Sequence, residues 1–321
     1  MKSKHFIGFT GGSGFIGSAL LLNSEFNNYN LKVFGRTRMP LNEHLFVHSK
    51  LEPSFDYGDA FDNVKTFIHI AARVHVMKEI VDDPLSDCLS INTLATLNLA
   101  RQAAAAGVKR FIFISSVKVN GESSDIGNPF RFNDVHKPVD PYGISKSEAE
   151  LALHRLALDT KMELVIIRPT LVYGPGVKAN FASLMNLVSK GIPLPFGCIT
   201  HNKRSLVSVN NLVDLIITCI DHPKAANQVF LVSDDHDVST SEMVREMAIA
   251  LNKPTWQLSV PIWCYKLAGK LFKKSDVVDR LTGSLQVDIS HTKETLGWKP
   301  PQTLQEGFKQ TAQAFLQAKT K

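Results

Sequence analysis

Short, almost wholly apolar runs alternate with longer amphipathic stretches through the first half of the chain. HFIGF (5–9), LKVFG (31–35), TFIHI (66–70), RFIFI (110–114) and ELVIIR (163–168) are dominated by Val, Ile, Leu and Phe, the pattern of strands covered on both faces. Segments of helical spacing separate them, and this alternation predicts a doubly wound parallel sheet of the α/β class. The stretch from Asp87 to Ala106 is rich in Leu and Ala and stops at Gly107, a residue suited to the left-handed position after a helix, so it predicts one helix. After Arg168 the pattern loosens. Pro169, Pro175, Pro193 and Pro195 mark loops, SLVSV (205–209) reads as a strand, and Ser239 with Glu242 three residues on gives a capping-box spacing for a late helix.

Composition narrows the class. With 321 residues, 44% of them hydrophobic and 21% charged, the chain can bury a large core, which excludes a disordered chain. The formal net charge of +6 comes from Lys and Arg scattered along the sequence, not gathered into a block, so an anionic small ligand is expected and nucleic acid is not. Cys88, Cys198, Cys219 and Cys264 are far apart, without CxxC pairs or metal-ligand spacing, and read as free thiols in a reducing compartment. No metal is implied. The most apolar later run, LVDLIITCI (212–220), is short and contains Asp214, and no basic segment with an apolar continuation opens the chain. A cytoplasmic protein without membrane insertion is the expectation.

Directly after the first strand stands TGGSGFIG, Thr10 to Gly17, with Gly11, Gly14 and Gly17 in GxxGxxG spacing and a helical pattern from Phe15 and Ile16 onward. Glycines here allow a tight turn, close approach of backbone N–H groups to a pyrophosphate, and helix–strand packing. A Rossmann-type dinucleotide domain over residues 1–169 follows, with residues 170–321 forming mainly a smaller substrate-binding lobe and part of 205–235 returning to the first. Where NAD-selective folds place an acidic residue for the ribose, the second strand instead runs into Arg36, Thr37 and Arg38. A guanidinium there suits a 2′-phosphate, so NADP is preferred and NAD is the alternative.

Two further patterns carry chemistry. YGISK puts Tyr142 and Lys146 on one helix face, where the ammonium favours the phenolate form of a side chain that is otherwise a poor base. SSVKVNG follows the RFIFI strand at the sheet's carboxyl end, where ligands bind in such folds; Ser116 is placed to hydrogen-bond a reacting oxygen, or else to cap the turn. IHIAA ends the TFIHI strand with Ala71 and Ala72, small enough for a nicotinamide to approach, while His69 reads as a structural histidine.

With these motifs on the page the chain resembles the extended short-chain dehydrogenase/reductases, in particular the nucleotide-sugar epimerases and reductases. The likeness covers TGGSGFIG, IHIAA, Asn92 in INTLAT, FIFISSVKVNG, YGISK, RPTLVYGPG, KRSLVSVNNLVD and LGWKPP. It implies Ser116, Tyr142 and Lys146 as a catalytic trio acting at sugar C4, Asn92 beside the active site, Arg204 on the substrate diphosphate and Asn180 as a further substrate contact. It also implies a homodimer through helices near 87–106 and 141–159. Two departures matter: Val117 and Lys118 replace the Asp-Glu pair of 4,6-dehydratases, which argues against dehydration, and Leu171 replaces a customary asparagine. RVHVMKE (73–79), GVKANF (176–181) and GSLQVD (283–288) are similar to a bacterial subgroup of surface-polysaccharide enzymes. The expectation is therefore NADPH-dependent reduction of a UDP-linked 4-keto-6-deoxy-N-acetylhexosamine. The alternatives are reversible C4 epimerisation of a UDP-hexose and a non-catalytic dinucleotide sensor, the last having no need of the intact trio.

Overall fold

The computed structural model describes residues 5–38, 44–74 and 83–320, and of residues 179, 180 and 320 the backbone only. Strand β1 (Phe6–Thr10) leads into helix α1 (Phe15–Leu22), then β2 (Asn30–Gly35), β3 (Leu45–His48) and β4 (Val64–His69). A long helical rod follows as α2 (Pro84–Cys88), a π-helical segment (Leu89–Ala95) and α3 (Thr96–Ala105), after which come β5 (Arg110–Ile114), α4 (Pro141–Thr160) and β6 (Glu163–Pro169). The rest comprises β7 (Leu171–Tyr173), α5 (Ala179–Ser189), β8 (Arg204–Ser208), α6 (Val209–Asp221), β9 (Gln228–Val232), β10 (Asp237–Val238) and α7 (Thr240–Ala250). Helices α8 (Ile262–Leu271), α9 (Ser275–Thr282), α10 (Ser290–Leu296) and α11 (Leu304–Thr320) close the chain.

Seven strands form one parallel sheet in the order β3-β2-β1-β4-β5-β6-β9. The order reverses between β1 and β4, which opens a crevice at their carboxyl ends. Alternate residues of the apolar strands serve opposite cores. Phe111, Phe113, Leu164 and Ile166 pack under α3 and α4 with Phe34, Phe67 and Leu153, whereas Ile112, Ile114, Val165 and Ile167 pack under α1 and α6 with Leu20, Leu212 and Ile216. Each such side chain taken fully from water contributes about 1.5–3 kcal/mol. A third core joins Tyr173, Phe181, Met185, Met243, Met247 and Phe308 beside a small sheet ordered β10-β8-β7. The SLVSV strand is thus in the small sheet. Ser239 caps α7 by accepting from the Glu242 N–H at 3.1 Å. Among the described residues no helix is long and apolar enough to cross a membrane.

The single helix expected over 87–106 is corrected by the structure. The rod starts earlier, at Pro84, where the Asp83 side chain caps it, and its middle is wound as a π-helix. One extra residue per turn leaves the apolar pattern almost unchanged, so sequence periodicity does not register it. Gly107, at φ +87°, ends the rod in the left-handed conformation. Ala103 and Ala104 pack into the protein's own core, leaving Ala105 and Ala106 on the surface.

Candidate active site

Between β1 and α1 the glycine turn is held against the loop after β4. Gly11 has φ +81°, and a Cβ there would sit 2.8 Å from the Ala71 nitrogen; one on Gly17 would sit 2.1 Å from the Gly11 carbonyl oxygen. The Thr10 hydroxyl accepts from the Ile70 and Ala71 N–H groups, both at 3.2 Å, and lies 2.7 Å from His69 Nδ1. With its lone pairs committed it donates to Nδ1, which leaves His69 Nε2–H for Thr96 Oγ1 at 2.9 Å. Burial, and then the Lys146 charge, hold His69 well below its ordinary pKa, so it is a neutral, fully partnered structural residue. Gly14 caps α1 without a side chain. The first-turn N–H groups, Phe15 and Ile16 included, thus keep a bare approach for a dinucleotide pyrophosphate, and this cradle fits one. Arg36 and Arg38 are exposed just past β2.

The start of α4 is fixed by Asp140, whose side chain accepts from the Gly143 N–H at 2.6 Å, and by Pro141 at the first helical position. Tyr142 is half-buried in that first turn. Lys146, one turn on, is buried; its Nζ donates to the Ile114 carbonyl at 2.7 Å and lies 4.3 Å from the Phe113 ring centre and 6.0 Å from that of Tyr142. Burial lowers Lys146 to about 7, against the pull of Glu150. Burial likewise raises the Tyr142 phenol, with Asp140 and Cys88 acting in the same direction. Ser116 follows β5 by two residues and is half-exposed; its Oγ accepts from the Lys118 N–H at 3.2 Å and so caps a short 3-10 turn. That turn touches α4, because a Cβ on Gly143 would meet the Lys118 carbonyl at 2.9 Å. Ser116, Tyr142 and Lys146 therefore gather at the carboxyl end of β5.

Asn92 stands one layer behind. From the π-helical segment its Oδ1 accepts from the Arg73 N–H at 2.7 Å, and its Nδ2 donates to the Arg73 carbonyl and to Ser145 Oγ, both at 2.9 Å. Both amide protons are used, so Asn92 ties the 71–73 loop to α4. Ala71 and Ala72 lie on that loop, half-buried.

Sequence reasoning did not single out the charged network beneath this site. Glu150, fully buried, is gripped by Arg168 through Nε at 3.0 and 3.2 Å and Nη2 at 2.6 Å, and it accepts a short hydrogen bond from Ser115. Arg168 also donates to Asn120 Oδ1 at 3.1 Å and the Phe132 carbonyl at 3.3 Å, and meets His136 Nε2 at 2.7 Å. A faint signal existed, since Tyr142, Lys146 and Glu150 recur at four-residue spacing on one helix face. Lys118, which in sequence marks only the absence of an acid, pairs with Glu122 at 2.9 Å and with Asp140.

Arg204, at the start of β8, is half-buried; its Nη1 donates to the carbonyls of Arg280 at 2.8 Å and Gly283 at 3.3 Å. Asn180 lies in the first turn of α5, but its side chain is outside the described residues, as are residues 75–79 of RVHVMKE.

Residues 7–233 match the NAD dependent epimerase/dehydratase family. The chain belongs to that family. As a member of the NAD dependent epimerase/dehydratase family it is an enzyme of the extended short-chain dehydrogenase/reductase type. It is 66% identical over 311 residues to a UDP-glucose 4-epimerase of Vibrio cholerae, covering 96% of this chain and 95% of that one. Its fold is shared with a UDP-glucose 4-epimerase of Thermotoga maritima solved with UDP-glucose, at TM-score 0.73, 22% identity and coverage of 98% and 99%. It is shared too with a UDP-glucuronic acid 4-epimerase of Bacillus cereus solved with NAD, at TM-score 0.75, 18% identity and coverage of 97% and 99%.

These findings correct one expectation. Net reduction of a UDP-4-keto-6-deoxy-N-acetylhexosamine is overturned by the 66% identity to a UDP-glucose 4-epimerase. The physical reason is that a one-way reductase and an epimerase share the trio and the dinucleotide turn, so the motifs that pointed to C4 chemistry did not distinguish them. The family's own description names NAD and the Bacillus cereus neighbour was solved with NAD, and neither shows the expected preference for NADP.

Proposed function

We propose that the enzyme interconverts C4 epimers of a UDP-linked hexose, UDP-glucose and UDP-galactose or their N-acetylated forms. The carrying observation is the 66% identity to the Vibrio cholerae UDP-glucose 4-epimerase over nearly the full length of both chains. The turn of Gly11, Gly14 and Gly17 would hold NAD, which would supply a reversible two-electron acceptor for hydride at C4. Tyr142 removes the proton of the 4-hydroxyl as C4 is oxidised and restores it when the 4-keto sugar, having turned over in the site, is reduced on its other face. Ser116 Oγ donates to the same oxygen, and the Lys146 ammonium, anchored on the Ile114 carbonyl, stabilises the Tyr142 phenolate. Arg204 and Asn180 are the substrate contacts this reading carries, Arg204 on the diphosphate. Because hydride returns, no reducing pool is drawn on, and the case for NADP shrinks to Arg36 and Arg38; the reading is NAD. Incubation with UDP-galactose should give an equilibrium mixture with UDP-glucose and no net reduced dinucleotide. Failure to interconvert either this pair or the N-acetylated pair would overturn the proposal.

Lys146→Met tests the electrostatic part. The ammonium favours ionisation of a phenol that burial holds above its ordinary value, so its loss is expected to shift the acidic limb of the pH–rate profile to higher pH and to weaken dinucleotide retention. An unmoved limb would remove this role.

The four cysteines carry no disulfide, which supports a cytoplasmic workplace. A homodimer is supported by the rod and α4, which lie together and turn Leu94, Leu151 and Leu158 outward at 53%, 43% and 84% exposure. Sedimentation at micromolar concentration should show a dimer, and a monomer alone would refute it.

A further inference from the structure

Helix α8 carries a stripe of large apolar side chains on the surface. Trp263, Leu267 and Leu271 recur every four residues on one face and are 65%, 62% and 75% exposed; Phe272, directly after the helix, is 71% exposed. The opposite face is fixed against α9, because a Cβ on the buried Gly269 would meet Val278 Cγ2 at 2.8 Å. Rolling the stripe inward would break that contact. Along the stripe's edge run Lys266 and Lys270, followed by Lys273 and Lys274, all exposed, and residues 262–274 contain no carboxylate. The exposed acids of the hairpin, Asp276 and Asp279, lie on α9.

We propose that this face docks on a bilayer surface containing anionic phospholipid, with Trp263, Leu267, Leu271 and Phe272 at the headgroup boundary and the lysines against the lipid phosphates. The helix is far too short to span, but a Trp/Leu/Phe stripe edged by lysine is the composition of an interfacial helix. Charge selects this occupant over a second copy of the chain. A second copy's stripe would add further lysines and no carboxylate from residues 262–274 to pair with them, whereas an anionic surface pairs with them. The hairpin is also tied to the substrate lobe, since Arg204 holds the Arg280 and Gly283 carbonyls at its far end. Docking would orient that lobe towards the membrane.

The test is flotation of the full chain with vesicles of phosphatidylglycerol and phosphatidylcholine in equal parts, and with phosphatidylcholine alone. Binding to the anionic vesicles only, weakened by salt, is expected. At about fivefold in partition per lysine, Lys266→Ala with Lys270→Ala should weaken it about 25-fold. Leu267→Ser with Leu271→Ser should also release the protein, and both variants should retain wild-type epimerisation of a soluble sugar nucleotide. No flotation at low salt would overturn the proposal. So would sedimentation showing that the leucine variant dissolves an oligomer while the wild type ignores vesicles, because a second copy would then cover the stripe.

Discussion

Tyr142→Phe is expected to lower turnover by about two to four orders of magnitude while the folded protein keeps its dinucleotide. The substitution removes one oxygen and leaves the ring, so the packing of Lys146 beside it, 6.0 Å from the ring centre, is retained. What disappears is the group proposed to accept and return the 4-hydroxyl proton. Ser116 cannot replace it, because its Oγ already accepts from the Lys118 N–H and, among the described residues, has no base among its hydrogen-bond partners. The measurement is kcat for epimerisation together with the dinucleotide released per chain by acid. Turnover within a few-fold of wild type would remove Tyr142 from the chemistry; loss of the dinucleotide would mean that the change had disturbed the fold.

Arg168→Leu should be the most destabilising single change near the site. It strips the guanidinium from the Glu150 carboxylate, which has no exposed surface, and leaves it His136 Nε2 at 3.6 Å and the more distant Lys146 charge; breaking one side of a buried pair costs about 3–5 kcal/mol. Asn120 Oδ1 and the Phe132 carbonyl lose a donor as well. The urea midpoint should fall accordingly. Adding Glu150→Leu should recover part of the loss by removing the stranded charge, whereas a single variant within about 1 kcal/mol of wild type would show the pair to be dispensable. Glu150 and Lys146 share a helix face, so the same variant should also lower epimerase activity per folded molecule.

How far the sequence could be read follows from how strongly each feature marks it. The central strands were legible because both faces are buried and the runs are continuously apolar. Edge strand β3, Leu45–His48, escaped notice since two of its residues are exposed and two half-buried, leaving too short an apolar signal. The π-helical turn around Asn92 was invisible because it alters winding and not composition. Of the site, Tyr142, Lys146 and the glycine turn were legible as local spacings. The Glu150–Arg168 pair was not, for it joins positions 18 residues apart across β6 and α4, and in sequence each reads as an ordinary charge. The choice between one-way reduction and epimerisation left no local mark, because it depends on whether the keto sugar turns within the site, not on the groups that move the proton.

Hydride return to the carbon it left is the centre of the account, and isotopic labelling tests it most directly. Purified enzyme would be given UDP-glucose carrying deuterium at C4, and the UDP-galactose formed would be analysed by mass spectrometry and proton NMR. The label should remain at C4 of the product with inverted configuration and without exchange into water, as it must if hydride leaves and re-enters at one carbon within one binding event. Product in which C4 carries solvent hydrogen would contradict the mechanism.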